Sequence, residues 1–399
     1  MNTIDPVRRK LLRLAAYGGG LAAASPFLAA CADCPGDQAT NDSETAFGSS
    51  GPLLEPDANG LRLPRGFRSR IVARSGEIAG NGNHPWHPAP DGGACFTHPE
   101  GGWVYVSNSE ISNGGGGVSA LRFGSSGEIL GAYPILGGSN RNCAGGPTPW
   151  GTWLSCEEVP DGRVWECDPL GQEAATVHPA LGIFEHEAAA VDPDTLQIYL
   201  TEDQHDGLFY RFTPATSSNG RPDLSNGTLE AAEIVGNGAT GDVRWHVIND
   251  PQATMTPTRR QASKATPFAR GEGAWYHDGK VFFCTTGDGR VYAYNIADER
   301  MELIYDVQCH GDRLLTGNDN ITVAADGTLL IAEDGGNMQI VTIAPNGELA
   351  PLVMVEGHVQ SEITGPAFSP DGKRLYFSSQ RGSLGRNEDG VTYEILLPA

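Results

Sequence analysis

The chain has 399 residues, among them 53 glycines and 27 prolines, with 39% hydrophobic and 19% charged residues. So many helix-breaking residues exclude a mainly helical protein, and the apolar fraction excludes disorder throughout. Asp and Glu outnumber Lys and Arg by 49 to 27, a net charge of −22. This excludes a nucleic-acid partner held through its phosphates, which needs a basic footprint.

The first thirty residues read as an export signal. Arg8, Arg9, Lys10 and Arg13 precede a short, mildly apolar stretch rich in Ala and Gly, Leu14 to Ala30, which suits a signal peptide better than a membrane span. It ends in Leu28-Ala29-Ala30-Cys31, a lipoprotein cleavage box, so Cys31 is expected to become the lipidated first residue. The alternative is a plain signal cut near Ala30, with Cys31 unmodified. Twin-arginine signals carry folded proteins, which hints at a cofactor loaded before export. Residues 31–56, rich in Ser, Asn, Asp and Gly, are expected to form a flexible tether, and 57–399 a single folded domain. The expected product is a monomer in the periplasm or cell envelope that touches membrane only through Cys31. Besides Cys31, the chain holds Cys34, Cys95, Cys143, Cys156, Cys167, Cys284 and Cys309. Seven is odd, so disulfides in an oxidising compartment leave at least one thiol, and the folded part has no CxxC pair for structural zinc.

From residue 90 onward one unit recurs: a short strand, a Gly/Asp turn, a second strand rich in aromatic and β-branched residues, and a polar or acidic ending. The second strands are Trp103-Val104-Tyr105-Val106, Thr152-Trp153-Leu154, Ile198-Tyr199-Leu200, Val281-Phe282-Phe283-Cys284, Leu329-Leu330-Ile331 and Leu375-Tyr376-Phe377. Turn signals fall at Pro90-Asp91-Gly92, His277-Asp278-Gly279, Ala325-Asp326-Gly327 and Pro370-Asp371-Gly372. Six units predict an all-β fold, a six-bladed β-propeller. A β-sandwich is the alternative, but it does not explain the recurrence.

In an antiparallel hairpin the start of the first strand lies beside the end of the second. Cys143 then faces Glu157/Glu158, Glu187 faces Glu202/Asp203, Asn320 faces Glu333/Asp334 and Glu362 faces Gln380/Arg381, while Glu272 opens another first strand. In a propeller these ends meet at one mouth of the channel. Carboxylates gathered there repel one another unless cations neutralise them. Hard oxygen ligands favour Ca2+, and a thiolate at Cys143 adds an iron-like preference. The segment Asn142-Cys143-Ala144-Gly145-Gly146-Pro147 reads as a loop. Arg381 ends a strand where other units supply acids, suiting bidentate recognition of a phosphate or carboxylate.

The run Asn142-Cys143-Ala144-Gly145-Gly146-Pro147-Thr148-Pro149-Trp150-Gly151-Thr152-Trp153-Leu154-Ser155-Cys156-Glu157-Glu158 resembles the signature of the PhoX-type alkaline phosphatases. So do Phe184-Glu185-His186-Glu187, Tyr199-Leu200-Thr201-Glu202-Asp203 and Ser379-Gln380-Arg381-Gly382, and the likeness spans most of residues 60–385. The resemblance implies twin-arginine export, a six-bladed propeller and hydrolysis of small-molecule phosphate esters with a cluster of Fe3+ and Ca2+. It implies that Cys143 is the iron-binding cysteine, that Glu158, Glu187, Glu202, Glu272 and Glu333 are metal-ligand candidates, and that Arg381 binds the phosphate. Cys143 and Arg381 are then the residues expected to carry catalysis. The family's Asn-His-Glu ending reads Asn108-Ser109-Glu110 here, so the first unit receives no role.

The implied chemistry is metal-assisted phosphoryl transfer; no G-x-S-x-G elbow for a serine nucleophile occurs. His186 is either a packed histidine or one that orients a ligand. Two alternatives are a calcium-dependent lactonase, suggested by Glu362-Ile363-Thr364-Gly365-Pro366-Ala367-Phe368-Ser369-Pro370-Asp371-Gly372, and a non-catalytic ligand-binding propeller.

Overall fold

A computed structural model describes residues 51–236, 238–310 and 314–398. The expected signal peptide, Cys31 and the tether up to residue 50 lie outside the described residues. Among those described, regular structure is all β apart from four short 3-10 turns, and no helix is long and apolar enough to cross a membrane.

The strands form antiparallel sheets in a propeller-like arrangement. Four sheets have four or five strands, and a nine-stranded sheet runs from His186–Val191 to Gly271–His277. The nine strands hold together at their middle through only two register pairs, Gly241 with Met301 and Asp242 with Arg300. The chain closes on itself, because Arg68–Arg74 pairs with the last strand, Val391–Leu396. Each repeated second strand read from the sequence falls on a strand here, Thr152 alone lying one residue outside: Trp103–Ser109, Trp153–Glu157, Ile198–Glu202, Lys280–Thr285, Leu329–Glu333 and Arg374–Ser379. Their large side chains fill the space between sheets. Phe209 and Phe283, for example, stack at 4.4 Å, and both are fully buried, each contributing about 2 kcal/mol by area.

Six inner strands precede these partners: Pro90–Thr97, Asn142–Pro147, His186–Val191, Gly271–His277, Asn318–Val323 and Ile363–Phe368. They touch in sequence order, and the last lies against the first, so they ring a narrow axis. Crowding there dictates small residues. A Cβ at Gly146 would fall 1.8 Å from the Ala189 carbonyl oxygen of the next inner strand, and one at Gly273 would fall 2.8 Å from Asn320 Cα. These glycines permit close approach of backbones rather than turns.

The register slips near the start of every inner strand. Pro90 pairs with Ser109 but Gly93 with Ser107, and the same one-residue bulge follows Asn142, His186, Gly271 and Asn318. In the last hairpin it falls between Thr364 and Ala367. Bulges re-aim side chains, and these sit where the expected ligands stand. Two readings are corrected here. Asn142–Pro147 is an inner strand, not a loop, and Pro90-Asp91-Gly92 opens a strand, whereas the other three Asp-Gly signals do form turns with positive φ at the glycine. Cys309 is disulfide-bonded, while Cys95, Cys143, Cys156, Cys167 and Cys284 are free.

Candidate metal centre

At the bulged ends of the inner strands three groups of ligand atoms gather, each with its atoms within 4.8 Å of one another. They are Cys143, Glu158 and Glu187; Glu187, Glu272 and Asp319; and Asp91, Glu110 and Glu362. Asp91, Cys143, Glu187, Glu272 and Asp319 each occupy the second position of an inner strand, where the bulge turns them toward the axis. Glu187 belongs to two groups, and the Cys143 thiol donates to Asp91 Oδ2 at 3.6 Å, which joins the third.

Such a concentration of buried acids is unfavourable on its own. Burial, then Glu272 and Glu158, pushes the Glu187 carboxyl well above the usual carboxylate range. Burial, then Glu362, raises Asp319 to about 8, and burial, then Asp91 and Glu187, raises the Cys143 thiol. Glu187 is fully buried, and neither of its carboxylate oxygens has a hydrogen-bond partner among the described residues. A buried carboxylate without protein donors is what a multivalent cation satisfies, so the residues fit a metal.

Three guanidiniums relieve part of the repulsion. Arg141 donates to Glu110 at 2.6 and 2.9 Å and also bonds Glu158. Arg270 forks onto Asp203 with two contacts of 2.7 Å and reaches Glu272 at 3.2 Å, while Arg381 pairs with Glu362 at 2.8 Å. Burial pushes the Glu110 carboxyl up, but Arg141 and Arg381 outweigh it and hold the group below its ordinary value. The Gln380 amide bridges Asp91 and Glu110.

Of the expected site residues, Cys143, Glu158, Glu187 and Glu272 fall in the groups, and Arg381 stands beside the third. Glu202 and Glu333 do not join them. Glu202 accepts from the Leu208 amide, the Tyr210 hydroxyl at 2.7 Å and Arg259 at 3.0 Å; Glu333 accepts from the Thr316 amide at 2.9 Å. Successive strand residues point to opposite sides, so these acids tie their own hairpins while the following Asp203 and Asp334 act on the cluster. The same one-residue offset places Asp319, not Asn320, in the second group. His186 stacks on Phe184 at 3.6 Å and hydrogen-bonds the Gly182 carbonyl at 3.0 Å; burial lowers it to about 3, and it is a packed histidine. Sequence reasoning missed Asp91, Glu110, Asp319, Arg141 and Arg270. The available signal was that Asp91 and Asp319 stand just ahead of a glycine or asparagine near the start of an inner strand, much as Cys143 stands just ahead of Ala144-Gly145.

The opposite end of the ring is different. A cavity of 260 Å3 there is lined by Pro147 to Pro149, Ala189 to Val191, Pro193 and Ala274 to Tyr276, with no carboxylate, cysteine or histidine.

The family model for alkaline phosphatase PhoX matches residues 115–164 and 161–382. Among solved structures, Pseudomonas fluorescens PhoX in complex with vanadate, a transition state analogue, aligns at 18% identity over 87% of this chain and 97% of its own, with a TM-score of 0.72. The gluconolactonase XC5397 of Xanthomonas campestris aligns at 12% identity over 87% and 98%, with a TM-score of 0.50. A protein of unknown function from Bacteroides thetaiotaomicron aligns at 10% identity over 87% and 83%, with a TM-score of 0.51. At such identities these likenesses speak for the propeller-like fold alone. No curated protein matches the sequence. The family match covers more than half of the chain and includes Cys143, Glu158, Glu187, Glu272, Asp319, Glu362 and Arg381, so the chain belongs to the alkaline phosphatase PhoX family and is a phosphatase.

Proposed function

We propose that this phosphatase hydrolyses small-molecule phosphate monoesters at the acidic mouth of a six-bladed propeller, with iron and calcium ions held by the three ligand groups. The observation that carries the reading is Glu187, buried, shared by two groups and without a protein donor on either oxygen. Six blades are supported by the six inner strands in a closed ring, with the nine-stranded sheet counted as two blades that touch at two register pairs.

Cys143, Glu158 and Glu187 would hold iron, because only this group offers a thiolate; the two all-carboxylate groups suit calcium. Bound ions supply Lewis-acid stabilisation of phosphoryl oxygens and neutralise charge that develops there. The protein's own part is orientation. Arg381, fixed by Glu362 at 2.8 Å, offers its remaining N–H groups to the phosphoryl oxygens, and Gln380 keeps Asp91 and Glu110 aligned. Glu202 and Glu333 brace the hairpins that carry the neighbouring acids. We further read the chain as exported and tethered through Cys31, which a disulfide at Cys309 supports, since such bonds persist in oxidising compartments.

The test is elemental analysis of protein exported by its own signal, together with p-nitrophenyl phosphate hydrolysis with and without chelator. Iron, calcium, chelator-sensitive hydrolysis and a colour lost in Cys143→Ala are expected. Colourless protein with a single Ca2+ and no hydrolysis would overturn the reading.

A further inference from the structure

We propose that Arg141 is a second phosphoryl-binding guanidinium, paired with Arg381 across Glu110; this rests on the phosphatase reading above. Glu110 lies between the two arginines. Its Oε1 accepts from Arg141 Nε at 2.9 Å and Nη2 at 2.6 Å, and its Oε2 is 3.7 Å from Arg381 Nη2. Each arginine has a further anchor, Glu158 for Arg141 and Glu362 for Arg381. All of these contacts use Nε or Nη2. The Nη1 amino group of each arginine has no partner among the described residues, and the side chains keep 29% and 22% of their surface exposed. Two planar forks fixed on either side of one carboxylate, with free donor edges at the same mouth, suit an anion that carries several oxygens.

The backbone makes the choice of arginine informative. Arg141 has φ +42°, a left-handed conformation that a side chain adopts at a cost of about 1–2 kcal/mol. The hairpin imposes it. Ala89 at φ +44° and Arg270 at φ +57° stand at the same position, two residues before an inner-strand ligand. In each case the carbonyl accepts from the end of the partner strand: from Glu110 for Ala89, Glu158 for Arg141 and Thr286 for Arg270. Glycine fits such a site at lower cost. Arg141 is the closer of the two guanidiniums to Glu110, but it holds that carboxylate through Nε and Nη2, so the ion pair leaves Nη1 unused. What Arg141 adds is a positioned donor edge.

The competing explanation is that Arg141 only holds Glu110 and Glu158 for the ions. The full chain, ion-replete, is compared with Arg141→Gln, Arg141→Lys and, as a control ion-pair variant far from the mouth, Arg221→Gln. Competitive inhibition of p-nitrophenyl phosphate hydrolysis by inorganic phosphate is measured, with kcat, KM and metal content. Arg141→Gln is expected to weaken phosphate inhibition and raise KM by about tenfold or more with ions retained, the scale of one charge-assisted contact. Arg141→Lys, which keeps the charge without the fork, recovers only part. Unchanged phosphate inhibition, or a loss that merely tracks loss of ions, overturns the proposal. If Arg141→Gln does not fold, Arg141→Lys is judged by the same criteria. Failure of the unmutated, ion-replete protein to hydrolyse the ester would instead overturn the phosphatase reading itself.

Discussion

Two buried glutamates, at opposite ends of the sheets, show how differently one protein treats a carboxylate taken out of water. Glu166, away from the acidic mouth, accepts from Trp150 Nε1 at 2.7 Å, the Thr152 hydroxyl at 2.8 Å, His178 at 3.0 Å and Arg221 at 2.8 Å. Glu187, at the mouth, has no donor on either oxygen among the described residues. The first is solved by the fold and stabilises it. The second is left to a cation, so its burial costs stability until an ion arrives. Function at this mouth therefore rests on a shared carboxylate whose side-chain partners the fold withholds.

The contrast is broken most severely by Glu187→Gln. Removing the acid common to two groups is expected to strip their ions and lower p-nitrophenyl phosphate turnover by about a thousandfold or more, the scale of lost electrostatic stabilisation. The same substitution is expected to raise the melting temperature of chelated protein, because it removes an unpaired buried carboxylate. A lower melting temperature in chelated Glu187→Gln would show that Glu187 has a protein partner after all. Chelation of the unmutated protein comes next. Ions that bind only the folded state contribute about 4 kcal/mol per site at a thousandfold excess over Kd, so chelated protein should melt well below the loaded form. Equal melting temperatures would remove the ions from the account. A smaller effect, of the opposite kind, belongs to Glu202→Gln. Loss of the carboxylate that holds Tyr210 and Arg259 should cost about 2 kcal/mol in urea unfolding and leave metal content unchanged.

These expectations also mark what was legible in the sequence. The second strands were plain, because Trp103 to Val106 or Leu375 to Phe377 must fill the spaces between sheets and so carry large apolar side chains. The inner strands were not, since crowding at the axis selects Gly145-Gly146 or Gly273-Ala274, which carry no strand signal. That is why the segment around Cys143 read as a loop and Pro90-Asp91-Gly92 as a turn. Glu158, Glu187, Glu272 and Glu362 were located and Asp319 was missed by one residue, while Asp91 and Glu110 were not located at all. Choosing Asp319 over Asn320, or seeing that Glu202 turns away from the axis while Asp203 turns toward it, requires the register, and a bulge resets the register between every inner strand and the strand that follows it. The arginines at positions 141 and 270 were missed because each precedes its strand, in a left-handed conformation that composition does not reveal.

The smallest effect sharpens the other half of the comparison. Burial opposes ionisation of Glu166, but the bonds from His178, Trp150 and Thr152 and the charge of Arg221 outweigh it and hold the carboxyl at about 2. A folded-state value below the ordinary one means that the unfolded chain takes up the proton first as pH falls. The contribution is complete above the ordinary glutamate range and is lost as pH falls through about 2. Chelated protein, in which ions play no part, should therefore lose stability toward low pH partly through this group. Glu166→Gln, less stable at neutral pH, should show a shallower acid limb in urea midpoints measured from pH 5 to pH 2. Parallel acid limbs for the two proteins would mean that Glu166 titrates normally, and that the four donors around it hold position without favouring its charge.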